Sequence, residues 1–221
     1  MKVKAKLKYA AVIFDMDGVI TNTMPYHFKA WAEVFRLKGI KVNRYDVYSR
    51  EGKDGFSSVK EIYGKYQRNF SVKEARLLLK KKEGFFKQCV KVSFVRGSRS
   101  FLRKLKKQGT RLALVTGTSR HEAEKILHKG LMGIFDASVT GDEVRRSKPH
   151  PEPFLKALKL LKVPARQAIV IENAPLGIAS AKKAGLACVA LETSLPAKYL
   201  READYIFKSF SELEIAMRFI E

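Results

Sequence analysis

A chain of 221 residues, 46% of them hydrophobic, can bury a large core, which excludes a disordered chain and suits one medium domain or one domain carrying a smaller insert. No apolar run approaches the ~18 residues that span a bilayer, and the basic start Met1 to Lys8 leads into only six apolar residues before Asp15, so neither a membrane span nor a signal peptide is read. The net charge of +22 would attract polyanions, yet residues 24 to 95 hold 17 Lys and Arg against 7 acids, so the excess is spread through the chain.

Zinc-finger spacing, basic-region heptads and an aromatic RNA-binding signature are all missing. The charge therefore reads as a solvated surface with no specific nucleic-acid partner, and a non-catalytic nucleic-acid-binding protein stays a remote alternative. Cys89 and Cys188 have no metal-like spacing, and Cys188 lies in the apolar stretch 186 to 191 as a buried thiol would. A reducing cytoplasm is expected.

The apolar run Tyr9 to Phe14 reads as a buried strand that Gly18 soon punctuates, which places Asp15 and Asp17 at its carboxyl end. From Tyr26 to about Phe94 the pattern is helical. Phe28, Trp31 and Phe35 recur at helical spacing with Gly39 as a cap, and Ser58-x-x-Glu61 and Ser71-x-x-Glu74 match capping boxes. After Val95 short apolar runs alternate with amphipathic helices. Helix 98 to 107 precedes strand 111 to 115, and the capping box Ser119-x-x-Glu122 opens the next helix. Strand 135 to 139, a helix from near Pro151, strand 168 to 171, helix 175 to 184, strand 186 to 191 and a short strand 205 to 207 follow. This alternation predicts an α/β fold: a doubly wound, Rossmann-like parallel-sheet core, residues 1–23 plus 96–221, with an inserted all-helical cap domain at 24–95.

In such a sheet, ligands bind at the carboxyl ends of the strands. Thr116, Gly117 and Thr118 end the second strand with hydroxyls and freed backbone N–H groups able to hold a phosphate. Lys148 lies in Ser147-Lys148-Pro149-His150-Pro151-Glu152-Pro153, just before a helix N-terminus, and Glu172-Asn173 ends the strand 168 to 171. Singly, these read as a turn residue, a surface charge and an acid complementing a helix dipole.

In this order, each after a strand, Asp15, Asp17, Thr116, Lys148 and Glu172 resemble the four motifs of the haloacid dehalogenase superfamily. The resemblance covers nearly the full length, including residues 21 to 31, 147 to 154 and the small-residue helix between Gly177 and Gly185. It is strongest to the branch that holds β-phosphoglucomutase and small phosphatases of sugar phosphates. That resemblance implies Asp15 as nucleophile, Asp17 as acid and base, and Thr116 and Lys148 as holders of the phosphoryl group. It further implies Mg²⁺ bound by Asp15, the backbone carbonyl of Asp17 and the Glu172-Asn173 pair. One departure is Asn173, where the family pattern commonly has an acid; a neutral carbonyl oxygen removes one negative charge from the site.

The cap should separate hydrolysis from transfer. His27, in Tyr26-His27-Phe28-Lys29-Ala30-Trp31, resembles the mutase histidine that couples binding to acid–base chemistry, and Arg50 resembles its distal-phosphate arginine. The segment Gly117-Thr118-Ser119-Arg120 lacks the mutase-like lysine, for which Arg120 is an imperfect substitute because a planar fork and a point charge differ. His27, Arg50, Gly117, Thr118 and Arg120 are thus the expected substrate-binding residues. The expectation is a monomeric, Mg²⁺-dependent phosphatase of small phosphorylated metabolites, sugar phosphates foremost, with a phosphomutase of the β-phosphoglucomutase type as the alternative. Cap closure hinged near 23 to 25 and 95 to 97 would exclude water and select substrate.

Overall fold

The computed structural model describes residues 9–216, apart from the Lys129 side chain; the basic start at 1–8 lies outside the described residues. Six parallel strands, β1 (Ala11–Phe14), β2 (Arg111–Val115), β3 (Ala137–Val139), β4 (Ala168–Glu172), β5 (Ala187–Leu191) and β6 (Tyr205–Phe207), form one sheet in the order β3-β2-β1-β4-β5-β6. The chain winds outward from β1 through β2 to β3, then returns to lay β4 on the other flank of β1. That reversal makes the β1/β4 junction the topological switch point. The expected α/β architecture is the observed one.

Alternation along the strands builds two unlike faces. Ala11, Ile13, Ala113, Val115, Ala168, Val170, Cys188 and Ala190 turn to one side, where α7 (Glu152–Leu161) and α8 (Pro175–Lys183) pack on them through Phe154, Ala157, Ile178 and Ala181. Bulkier Val12, Phe14, Leu112, Leu114, Ile169, Ile171, Val189 and Leu191 turn to the other side, against α5 (Ser98–Lys107), α6 (Arg120–Met132) and α9 (Phe210–Ala216). Because both faces are covered, the strands read as continuous apolar runs.

Between β1 and α5 the chain makes α1 (Met24–Arg36), α2 (Arg44–Tyr48), α3 (Gly55–Lys65) and α4 (Val72–Cys89). Pro25 opens α1, a position where the missing N–H costs nothing, and Trp31 stacks on Phe35 at 5.3 Å. Gly39, with φ +67°, closes the end of α1 by donating its N–H to Arg36. Ser71 caps α4 and Ser119 accepts the Glu122 N–H before α6. The Ser58 capping box is corrected: Asp54 caps α3 by accepting the Ser57 N–H at 2.8 Å, and Ser58 lies inside the helix with its hydroxyl donating to the Asp54 carbonyl. An aspartate three residues upstream of Ser57 satisfies that amide first, so the helix starts a turn earlier. The two chain segments that enter and leave α1–α4 pair with each other, Asn22 N–H to Ser93 O at 2.8 Å and Val95 N–H to Ile20 O at 3.0 Å. No described helix is long and apolar enough to cross a membrane.

Candidate active site

The carboxyl ends of β1, β2 and β4 converge on one buried cluster. The Asp15 N–H donates to Ile171 O at 3.0 Å, which ties the turn after β1 to β4. Gly18, with φ +86°, lets the chain fold back over this junction, with its N–H on Thr21 O at 2.7 Å. Asp15, Asp17, Thr116, Lys148, Glu172 and Asn173 are all buried.

Lys148 sits at the centre. Its ammonium donates to Asp15 Oδ1 and to Glu172 Oε1, both at 2.6 Å, and to Val115 O at 3.3 Å. Burial opposes the charge, but Asp15 and Glu172 prevail and hold the lysine pKa above its ordinary value. Asp15 moves the other way from a surface acid: burial raises its pKa well above the carboxylate range, Lys148 opposes this, and Glu172, Asp17 and Glu51 add to it. Both Glu172 oxygens are engaged, Oε1 by Lys148 and Oε2 by the N–H groups of Asn173 at 2.9 Å and Ala174 at 3.3 Å, so of the expected Glu172-Asn173 metal pair Asn173 is the one with an unpartnered oxygen. Glu172 therefore orients Lys148 and pins the β4–α8 turn, where Gly177 leaves room for the carboxylate.

Asp17 is surrounded by donors. Thr118 donates to Oδ2 at 3.0 Å, Thr23 donates to Oδ1, and His27 Nε2 lies 3.4 Å from the same oxygen. Burial would raise its pKa, but the bonds from His27, Thr23 and Thr118 prevail and lower it. His27 is itself held from behind: it stacks on Phe86 at 4.1 Å, and Lys82 Nζ lies 3.2 Å from Nδ1. A lysine ammonium can only donate, so Nδ1 accepts and the ring proton faces Asp17 from Nε2. Lys82 lies over the Trp31 and Phe86 rings, and burial lowers its pKa while Glu51 and Asp17 oppose the shift.

Two buried oxygens in this cluster, Asp15 Oδ2 and Asn173 Oδ1, have no hydrogen-bond partner. The Asn173 side chain also donates to Asp17 O at 3.1 Å and to Ser194 at 2.7 Å, which brings its amide against the Asp17 carbonyl. No group of three or more His, Cys, Asp or Glu side chains able to hold a metal exists among the described residues. The donors on offer are instead mixed carboxylate, amide and backbone oxygens, which suit a hard cation that keeps part of its water shell.

A cavity of about 290 Å³ opens beside this cluster, between the loop after β2 and helices α1 to α4. His27, Arg50, Gly117 and Thr118 line it, together with Trp31, Phe86, Lys82 and Glu51. Arg50 is already engaged, donating to Glu61 Oε2 at 3.1 Å and to Asp46 O at 2.8 Å. Arg120 is turned elsewhere, onto Glu143 at 2.7 Å and Ser138 at 2.7 Å, and is not among the cavity's lining residues. Its two acceptors lie on and after β3, one strand away from the reacting end. Lys82, Glu51 and Thr23 were not legible as site residues. Lys82 is one of three consecutive lysines, and only the rotation of α4 against α1 separates it from its exposed neighbours.

Residues 12–191 match the family model described as haloacid dehalogenase-like hydrolase. The validoxylamine A 7'-phosphate phosphatase of Streptomyces hygroscopicus subsp. limoneus is 32% identical, over 93% of this chain and 96% of that relative. The β-phosphoglucomutase of Bacillus subtilis is 29% identical over 94% of this chain and 92% of its own length. The crystal structure of a β-phosphoglucomutase from Clostridium difficile superimposes with a TM-score of 0.80 at 27% identity, covering 93% of each chain. The chain belongs to the haloacid dehalogenase-like hydrolase family.

Proposed function

We propose that this protein is a Mg²⁺-dependent phosphatase of small phosphorylated metabolites, sugar phosphates foremost, working through an aspartyl phosphate on Asp15. The observation that carries the reading is the buried Lys148 ammonium, 2.6 Å from both Asp15 and Glu172 at the carboxyl edge of the sheet. A carboxylate attacks a phosphoryl group only where fixed cations offset the charge of both partners. Asp15 forms the new bond to phosphorus as the bond to the leaving oxygen breaks, and Asp17 passes that oxygen a proton. Water then attacks the phosphoaspartate while Asp17 takes its proton, which frees inorganic phosphate and regenerates Asp15.

Three hydrogen-bond donors favour Asp17 as the carboxylate that activates water. A phosphate dianion alongside raises the pKa of the same group by like-charge repulsion, which is what the first step needs. The Thr116 hydroxyl and the N–H groups of Gly117 and Thr118 would hold the oxygens that are not transferred. Asp15 Oδ2, Asn173 Oδ1 and the Asp17 carbonyl would hold Mg²⁺, which when bound offsets phosphate charge.

A cavity of about 290 Å³ with Trp31 and Phe86 on one wall and Glu51 and Lys82 among its polar groups suits a monosaccharide-sized leaving group. The phosphatase relative points the same way. A mutase is the second reading, favoured by His27 beside Asp17 and by the mutases matched above. Against it, Arg50, the side chain for a distal phosphate, is already bonded to Glu61. Two free thiols, Cys89 and buried Cys188, are in keeping with a reducing cytoplasm.

The test is phosphorus NMR with Mg²⁺, β-glucose 1-phosphate and a trace of glucose 1,6-bisphosphate, with Asp15→Asn as control. Free phosphate that depends on Asp15 is expected. Accumulation of glucose 6-phosphate would favour the mutase, and phosphate transfer retained in Asp15→Asn would end both readings.

A further inference from the structure

Two cavities lie between helices α1 to α4 and the sheet edge, with Gly52, Lys53 and Gly117 in the walls of both, and only the smaller touches Lys148. Gly52, between α2 and α3, approaches the loop after β2 so closely that a Cβ on Gly117 would come within 3.3 Å of Gly52 Cα. The same glycine lies on the Lys148 stem, where its own Cβ would stand 2.6 Å from Lys148 Cδ. The larger is the 290 Å³ cavity with His27, Thr118 and the aromatic wall. The smaller, of about 200 Å³, reaches Thr116 and Lys148 without touching His27 or Thr118. It adjoins a surface cleft of about 550 Å³, with Lys53, Asp54, Gly141, Val144, Ser147 and Lys148 lining both.

The charged lining of the cleft is Lys53, Arg145, Arg146, Lys148 and Lys183, against the single acid Asp54. Asp54 is committed to capping α3, Lys53 pairs with Glu61, and Arg146 lies 3.6 Å from Glu152. Arg145 and Lys183 make no side-chain ion pair among the described residues, and both are exposed at the mouth. His150, also in the lining, accepts the Glu152 N–H at 3.1 Å.

We infer that this basic cleft is the path by which inorganic phosphate enters and leaves the reaction centre, separate from the cavity that receives the organic leaving group. The inference rests on the phosphatase reading, in which phosphate is the second product. A phosphate held by Thr116 and Lys148 borders the smaller cavity directly, whereas neither residue lines the larger one. The unpaired cations Arg145 and Lys183 at the mouth lower the barrier to an anion in both directions, because the path out is the path in. Charge of one sign lining such a cleft changes association rates by about 10- to 1000-fold.

The experiment follows ³¹P exchange of inorganic phosphate with the Mg²⁺-supplemented protein, in wild type, Arg145→Glu/Lys183→Glu and the control Arg103→Glu/Lys107→Glu. The control makes the same change in net charge on exposed positions of α5. Thermal unfolding verifies that each variant is folded. Phosphate association is expected to slow about tenfold in Arg145→Glu/Lys183→Glu, with a smaller change in the dissociation constant, and to stay at the wild-type rate in the control. Equal rates in all three proteins, equal slowing in the control, or a loss of affinity with the association rate intact would each overturn the path. If wild type neither binds phosphate nor shows Asp15-dependent turnover, the phosphatase reading falls and takes this inference with it. Normal turnover with indifferent exchange rates removes the path alone.

Discussion

Replacing Lys148 by Met would test the electrostatic design of the centre directly. Methionine keeps an unbranched apolar stem of similar length and removes the ammonium that lies 2.6 Å from Asp15 and 2.6 Å from Glu172. Both acids are then buried without a cation, Asp15 at 2% exposure and Glu172 at 1%. Removing one partner of a buried ion pair costs about 3–5 kcal/mol, a large share of the ~5–15 kcal/mol that holds a typical protein folded. Urea unfolding at neutral pH, with the slope checked for constancy, measures the loss. Adding Glu172→Gln removes one of the stranded charges, while the new amide oxygen can still accept the Asn173 and Ala174 N–H groups. Lys148→Met/Glu172→Gln should therefore be more stable than Lys148→Met, although turnover stays down about 10²- to 10³-fold in both. A loss below ~1 kcal/mol in the single variant, the level of an exposed pair, would refute the reasoning. A double variant less stable than the single would refute it as well.

Other perturbations read other parts of the molecule. Gly177→Ala drives a methyl group into the Glu172 carboxylate and should cost about 1–3 kcal/mol; Gly84→Ala, open on every side in α4, should instead stabilise by up to ~1 kcal/mol, and equal effects would discount the cradle. Asp46 is buried, which would raise its pKa, but the Asn43 N–H, Lys65 and the Tyr66 hydroxyl prevail and lower it. A folded-state pKa below the unfolded one stabilises above the unfolded value and loses that contribution as pH falls. Asp46→Asn should thus cost about 1–3 kcal/mol at pH 7, with the gap to wild type closing below about pH 4 in a series of thermal melts; a gap independent of pH would contradict this. Asn173→Asp adds an anionic oxygen but loses the bonds donated to Asp17 O and Ser194. It should lower the melting temperature without metal and raise it more steeply than wild type as Mg²⁺ is added, and parallel Mg²⁺ responses would count against Asn173 as a ligand.

Much of this was determined by the sequence alone, because it depends on order and period. Parallel strands buried on both faces read as continuous apolar runs, and the residues that end them, Asp15, Thr116 and Glu172, must lie at one edge once the strands are parallel. The doubly wound core and the gathering of Asp15, Asp17, Thr116, Lys148 and Asn173 followed from that. Tertiary structure decided the rest, because direction and partnership of side chains are not local properties. Glu172 is spent on Lys148 and two amides, Arg50 on Glu61, and Arg120 on Glu143 and Ser138. Lys82 becomes the prop of His27 only through the packing of α4 on α1, since three consecutive lysines look alike until one face of the helix is buried. Asp54 rather than Ser58 caps α3 because the backbone entering the helix decides which side chain reaches its first free N–H. Both cavities meet where a glycine between α2 and α3 lies against a glycine after β2, a contact between residues 65 positions apart that no sequence pattern encodes.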